Sequence, residues 1–285
     1  MSKHFPLWFV MVVLWTICSV YGQNSATAAE AIKIQIADGV FLEMARISAG
    51  TFMMGSPSTE LNRDDDETLH EVTLTQDFWI GIYEVTQEQY EAVMNVNPSH
   101  FKEGGNYPVE CISWNDAKEF CQKLNENSQI LRPEGYHFDL PSEAQWEYAC
   151  RAGTHTAFYW GNTLNGDKAN CDGEFPYGTS TSGPYLKKTT PVGKNKNPNP
   201  WGLFDTHGNV WEWTLDHAVW QNASVRTRNY DGPQTNPLCT HGNERIYRGG
   251  GWVNYSRACR AAYRRCREPI DTFFDIGMRL ALVAD

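Results

Sequence analysis

The sequence has no Cys-x-x-Cys pair, no His-Glu-x-x-His motif and no glycine-rich phosphate loop. Those gaps exclude a thioredoxin-type redox centre, a zinc-peptidase helix and a nucleotide cradle. Serine and histidine are present, but without the nucleophile-elbow pattern that would support a hydrolase. Positive charge is scarce. The 24 Lys and Arg face 34 Asp and Glu, and the net charge of −10 argues against general nucleic-acid binding. No internal repeat is visible. Charged residues at 20% and hydrophobic residues at 41% exclude a coiled coil and a disordered chain. Long apolar runs are missing apart from residues 5–17, a stretch too short to span a bilayer.

That run follows Lys3 and His4 and precedes Val20 and Gly22, small residues at −3 and −1 of a cleavage point before Gln23. Residues 1–22 read as a secretory signal peptide, with an uncleaved anchor as the alternative. The expected location is therefore periplasmic or secreted, with no membrane span in the mature protein. Residues 23–40 read as a flexible lead-in, and residues 41–285 as one domain. Removing the leader leaves seven cysteines (111, 121, 150, 171, 239, 259 and 266) for an oxidising compartment. The odd count leaves at least one thiol free or paired between chains.

The chain is rich in 23 Gly, 14 Pro and 11 Trp across 285 residues, which favours a turn-rich fold over a helical bundle. Alternation predicts a strand and hairpin in residues 41–56 and a strand in 71–83. Three helices announce themselves by capping residues: Thr86 with Gln89, Ser113 with Asp116, and Ser142 with Gln145. On the second, Ala117, Phe120, Cys121 and Leu124 form one apolar stripe; on the third, Trp146, Ala149 and Cys150 share a face. Residues 154–245 show almost no regular pattern but keep many aromatics, including Phe158, Trp160, Trp211 and Trp213. They read as long ordered loops pinned by aromatic anchors or metal ions. The acidic run at 63–67 reads as a solvated loop, with a cation site as the minority alternative. Arg245, Arg248, Arg257, Arg260, Arg264, Arg265 and Arg267 come without one acidic residue between 245 and 267. They form either an anion-binding rim for a sulfated or carboxylated ligand or a set of buried ion pairs with residues such as Glu143 and Glu147.

Seven segments occur in a telling order: AGTFMMGS (49–56), GIYEVTQEQYEAVM (81–94), PVECISWNDAKEFCQKL (108–124), LPSEAQWEYACRAGT (140–154), WGLFDTHGNVWEW (201–213), RGGGW (248–252) and GMRLA (277–281). Together they resemble the sulfatase-modifying factor, or formylglycine-generating enzyme, family over residues 41–282. The resemblance implies a C-type-lectin-like α+β fold with short antiparallel sheets and few helices. It implies oxidation of a sulfatase cysteine to formylglycine by copper(I) and dioxygen, with an exported sulfatase as partner. The family's two copper thiolates would fall at Asn254 and Cys259, and its assisting serine at Gly251. One thiolate and one carboxamide make a poor Cu(I) site. Cys259 instead has three readings: a bridge to Cys150, as the resemblance implies, a catalytic or metal ligand, or a free buried thiol. The resemblance leaves Cys121 without a partner, because that position is Leu280 here. It also implies calcium. One site would use the side chains of Asp205 and Glu212 with the carbonyls of Gly208 and Val210. A second would use Asn170 and the Cys171 and Leu186 carbonyls, although Pro184 stands where the family has Asp. His207 reads as a hydrogen-bonded structural histidine. Two further functional readings stand beside the oxidase: a non-catalytic, calcium-stabilised lectin-like binding module, and a periplasmic oxidoreductase acting on a small molecule.

Overall fold

A computed structural model describes residues 29–221, 224–226 and 232–285 of the chain. The expected signal peptide lies outside the described residues. The strands are β1 (Ala31–Ala37), β2 (Val40–Ile47), β3 (Gly50–Met54), β4 (His70–Leu74), β5 (Phe78–Gly81), β6 (Tyr136–Asp139), β7 (Trp211–Gln221), β8 (Ser224–Arg226), β9 (Gln234–Thr235), β10 (Glu244–Arg248), β11 (Arg264–Arg267), β12 (Ile276–Gly277) and β13 (Ala281–Ala284). Three helices punctuate them: α1 (Gln87–Met94), α2 (Trp114–Glu126) and α3 (Glu143–Arg151). The result is the expected α+β fold of small, mostly antiparallel sheets with few helices.

All three expected helix starts are present, each with both capping-box hydrogen bonds, because the Ser or Thr oxygen satisfies an otherwise orphaned amide of the first turn. The α2 stripe of Ala117, Phe120, Cys121 and Leu124 is buried as its spacing demands. Helix α3 ends where Ala152 turns left-handed, followed by Gly153.

Three expectations need correction. The lead-in is not loose throughout: Ala31–Ala37 pairs antiparallel with β2 and buries Ile34 and Ile36. Residues 41–56 do not fold back on themselves, because β2 pairs with β1 and β5 while β3 pairs with β4. The long loop region contains an eleven-residue strand, β7, which pairs with β10 and β12. Its alternation was hidden because both faces are buried: Trp211 and Trp213 enter the core on one side, and Glu212, Thr214 and Asp216 are covered on the other.

The five-stranded sheet runs β1-β2-β5-β13-β6, so the last strand of the chain sits inside it. A second sheet runs β11-β10-β7-β12, and α3 packs between β3 of a third sheet and β7/β10 of the second. Between the elements the loops are held by rings. Phe158, Trp160, Tyr177 and His207 close on one another with centroids 5.0–5.6 Å apart, as the aromatic-anchor reading expects.

Candidate functional site

The C-terminal glycine segment leaves β10 and turns back through Gly249 and Gly250, both at positive φ. At Gly250 this is obligatory: a Cβ there would meet Cys259 Sγ at 2.6 Å. Gly251 is small for another reason, since a Cβ would meet both Cβ and the carbonyl of Asp275 at 3.0 Å. The Asn254 carboxamide oxygen accepts the Gly251 N–H at 2.9 Å, and the Asn254 N–H donates back to the Gly251 carbonyl at 3.0 Å. Asn254 is thus a turn-closing residue.

Asn254 and Ala258 line a cavity of about 880 Å³, together with Trp211, Phe273, Phe274 and Asp275. Cys259 is fully buried behind it, in a cluster with Phe158, Tyr177 and Cys171. The resemblance placed a copper pair at 254 and 259. The residues present do not fit one: the first is an amide engaged in its own turn, and the second thiol is sealed from the cavity.

The expected Cys150–Cys259 bridge is not formed in this structure, where both residues are free thiols. The Cys150 thiol donates to the Thr206 carbonyl at 3.6 Å and lies 3.7 Å from His207 Nε2. Burial pushes it up to about 12. Cys259 shares a hydrogen bond with Cys171 instead. His207 separates the two systems. Its Nδ1 lies 2.6 Å from the Cys259 carbonyl, and Nε2 accepts the Tyr159 N–H at 3.3 Å. That pattern requires the neutral Nδ1–H tautomer, and burial lowers its pKa to about 3. The structural reading of His207 stands. Cys121 is a buried thiol on the α2 stripe.

The arginine run is not a free anion rim. Arg248 bonds Glu143 at 2.6 Å and Glu147 at 2.5 Å, Arg264 bonds Glu143, and Arg260 bonds Glu60 and Glu67. Arg257 pairs with Asp64, Arg245 lies over the Trp114 ring, and Arg267 over Phe273. Arg265 reaches Asp64 and stacks on Tyr263. The acidic run at 63–67 and the arginine run therefore neutralise one another across the fold, which corrects the solvated-loop reading as well. Asp64, Asp66 and Glu67 do approach closely enough to hold a cation, but arginines already occupy Asp64 and Glu67.

The calcium sets behave differently from each other. Both oxygens of Glu212 are occupied by Arg279, at 2.7–3.0 Å, and by Trp146 Nε1 at 2.6 Å. Asp205 accepts the Gly193 N–H at 2.6 Å, and burial raises its pKa to about 6. The Gly208 N–H is turned to the Gly249 carbonyl and the Val210 N–H to Glu84. A calcium ion ligated through Glu212 does not fit this arrangement. The second set fits better. Asn170 is buried, donates to the Lys188 carbonyl and to Asn209 Oδ1, and leaves its own Oδ1 without a hydrogen-bond partner. A bare amide oxygen at a loop turn is a hard-cation donor. Leu186 is 45% exposed and sits two residues before the Lys188 carbonyl that orients Asn170.

Two central residues escaped sequence reasoning. Asn209, buried at φ +68°, bonds Glu84, Thr190 and Asn170 and so ties three loops together. Glu84 is fully buried; burial first, then Asp205 and Glu212, raise its pKa well above the carboxylate range. The left-handed Gly-Asn step was the available signal for Asn209. Glu84 carried none.

Fold, helix caps and motif order converge on one family. The sulfatase-modifying factor enzyme 1-like domain matches residues 37–284, and the chain belongs to that family. Over 84% of its length it is 27% identical to formylglycine-generating enzyme from Mus musculus, covering 74% of that protein. It is 24% identical over 87% of its length to inactive C-alpha-formylglycine-generating enzyme 2 from Bos taurus, covering 90% of it. Among solved structures, Treponema denticola variable protein 1 superposes with a TM-score of 0.70 at 30% identity, over 87% of this chain and 98% of that one.

Proposed function

We propose that this chain is a non-catalytic member of its family, an exported binding module that holds a polypeptide segment in the cavity beside Asn254. The reading rests on one observation: the two copper positions are an amide closing its own turn and a thiol buried behind the cavity wall. The existence of a relative named inactive supports it. The cavity suits an extended peptide, since aromatic Trp211, Phe273 and Phe274 stand beside Arg267 and Asp271. A sulfatase segment is the first ligand to try. The protein is incubated with Cu(I), dioxygen and a Cys-x-Pro-x-Arg peptide. We expect saturable peptide binding, no copper retained after desalting and no mass change in the peptide; conversion to formylglycine would overturn the reading.

Calcium enters as a structural ion in this proposal, held by Asn170 Oδ1 with the Cys171 and Leu186 carbonyls. Its chemistry there is to join loops. We expect calcium to raise the melting temperature of the wild type, Asn170→Ala to abolish that increment, and Asp205→Ala to retain it. A chelator-insensitive wild type would remove calcium from the account.

A further inference from the structure

Cys171 and Cys259 meet in the core, 88 positions apart in the chain. We propose that Cys171 and Cys259 form a redox-sensitive disulfide that clamps the 170–175 loop beneath the cavity wall. The backbone brackets the pair on both sides. The Asp172 N–H donates to the Asn254 carbonyl at 2.9 Å, Asp172 and Tyr255 form a parallel bridge, and the Ser256 N–H donates to Phe175 at 3.2 Å. Cys259 closes the short 3-10 turn that Ser256 opens, so both side chains point to the same side as Cys171. Cys171 Sγ lies 3.4 Å from Ser256 Oγ and shares a hydrogen bond with the Cys259 thiol. Gly250 supplies the clearance that lets Cys259 sulfur lie against the main chain. The remaining walls are apolar: Phe158, Leu164 and Tyr177.

The chemistry is ordinary thiol–disulfide exchange. One thiolate of the pair displaces a thiolate from a disulfide-bearing oxidant and forms a mixed disulfide. The other thiolate then attacks that protein sulfur and expels the second thiolate. The protein loses two protons and two electrons, and the oxidant leaves as two thiols. Both sulfurs are buried in the folded chain, so the exchange belongs to folding, before the loop closes. This inference goes beyond the binding-module reading and does not depend on it.

The test uses the full-length mature protein refolded with oxidised glutathione, unfolded in denaturant with iodoacetamide, and digested without reduction. We expect a peptide linking Cys171 to Cys259 and alkylation of Cys150. Alkylation of both Cys171 and Cys259, or a Cys150–Cys259 link, would overturn the proposal. In the wild type, reductant should lower the melting temperature by about 5–15 °C, as expected for opening a long loop. In Cys171→Ser/Cys259→Ser the melting temperature should ignore reductant, and a sensitivity that persists there would also overturn it. Formylglycine formation in the peptide assay would sink the binding-module reading and leave this disulfide standing.

Discussion

Two regions of the interior hold carboxylates in opposite ways. Around α3, Glu143, Glu147, Glu60 and Glu67 each touch an arginine. Around Asn209, Glu84 and Asp205 accept only N–H donors among the described residues, and Arg279 is taken by Glu212. Burial opposes ionisation at Glu147, but Arg151 and Arg248 still hold it below the ordinary range, whereas Glu84 and Asp205 rise. The same group is held ionised at Glu147 and favours its proton at Glu84 and Asp205. What separates them is the pair of guanidinium groups beside Glu147, not the depth; at Glu60 burial outweighs Arg260 and the pKa rises. Asp216 shows the rule at close range. It lies beside the α3 ladder but accepts only the Glu143 and Cys239 N–H groups, and burial followed by the Glu143 charge raises it to about 7.

The sharpest way to break this comparison is to unmatch the ladder. Arg248→Met strips Glu143 and Glu147 of a shared partner and should cost roughly 3–5 kcal/mol of stability in urea unfolding. A change below about 1 kcal/mol would mean that Arg264 and Arg151 suffice alone. Next come the proton-linked terms, each worth roughly 1.4 kcal/mol per pH unit within its window. Asp216 has a raised folded pKa, so its contribution is complete below the ordinary aspartate value and is lost as pH rises through about 7. Asp216→Asn should flatten that loss. His207 runs the other way: its contribution is complete above the ordinary histidine value and is lost as pH falls toward about 3. The two slopes oppose one another over most of that range, so unfolding midpoints of the wild type and Asp216→Asn are compared from about pH 4 to 8, and the difference isolates Asp216. Gly250→Ala, which combines a left-handed backbone with a Cys259 clash, should cost roughly 2 kcal/mol. Smallest of all, Glu84→Gln should cost less at low pH than at neutral pH, because burial favours the neutral carboxyl. A loss as large as that of Arg248→Met would place Glu84 among the matched charges.

Legibility in the sequence followed the range of the interactions. The helix starts were readable because Thr86, Ser113 and Ser142 cap amides only three residues away. Family membership was readable because seven short segments kept their order. The partners of the charge runs were not, since Arg260 meets Glu67 across 193 positions and composition carries no trace of that pairing. Strand β7 was overlooked because Glu212 and Asp216, ordinarily surface residues, are buried. The surroundings of the cysteines were equally illegible: His207 stands against Cys150, and Ser256 stands against Cys171, contacts made across 57 and 85 positions.

The placement of β13 makes one short segment the keystone of the main sheet. Leu282 lies between Trp79 of β5 and Phe138 of β6, so the two halves of the sheet are joined only through residues 281–284. Without that segment the facing edges of β5 and β6 would have no strand to pair with. Fraying there would open two adhesive borders at once, and a strand from another copy could enter the gap.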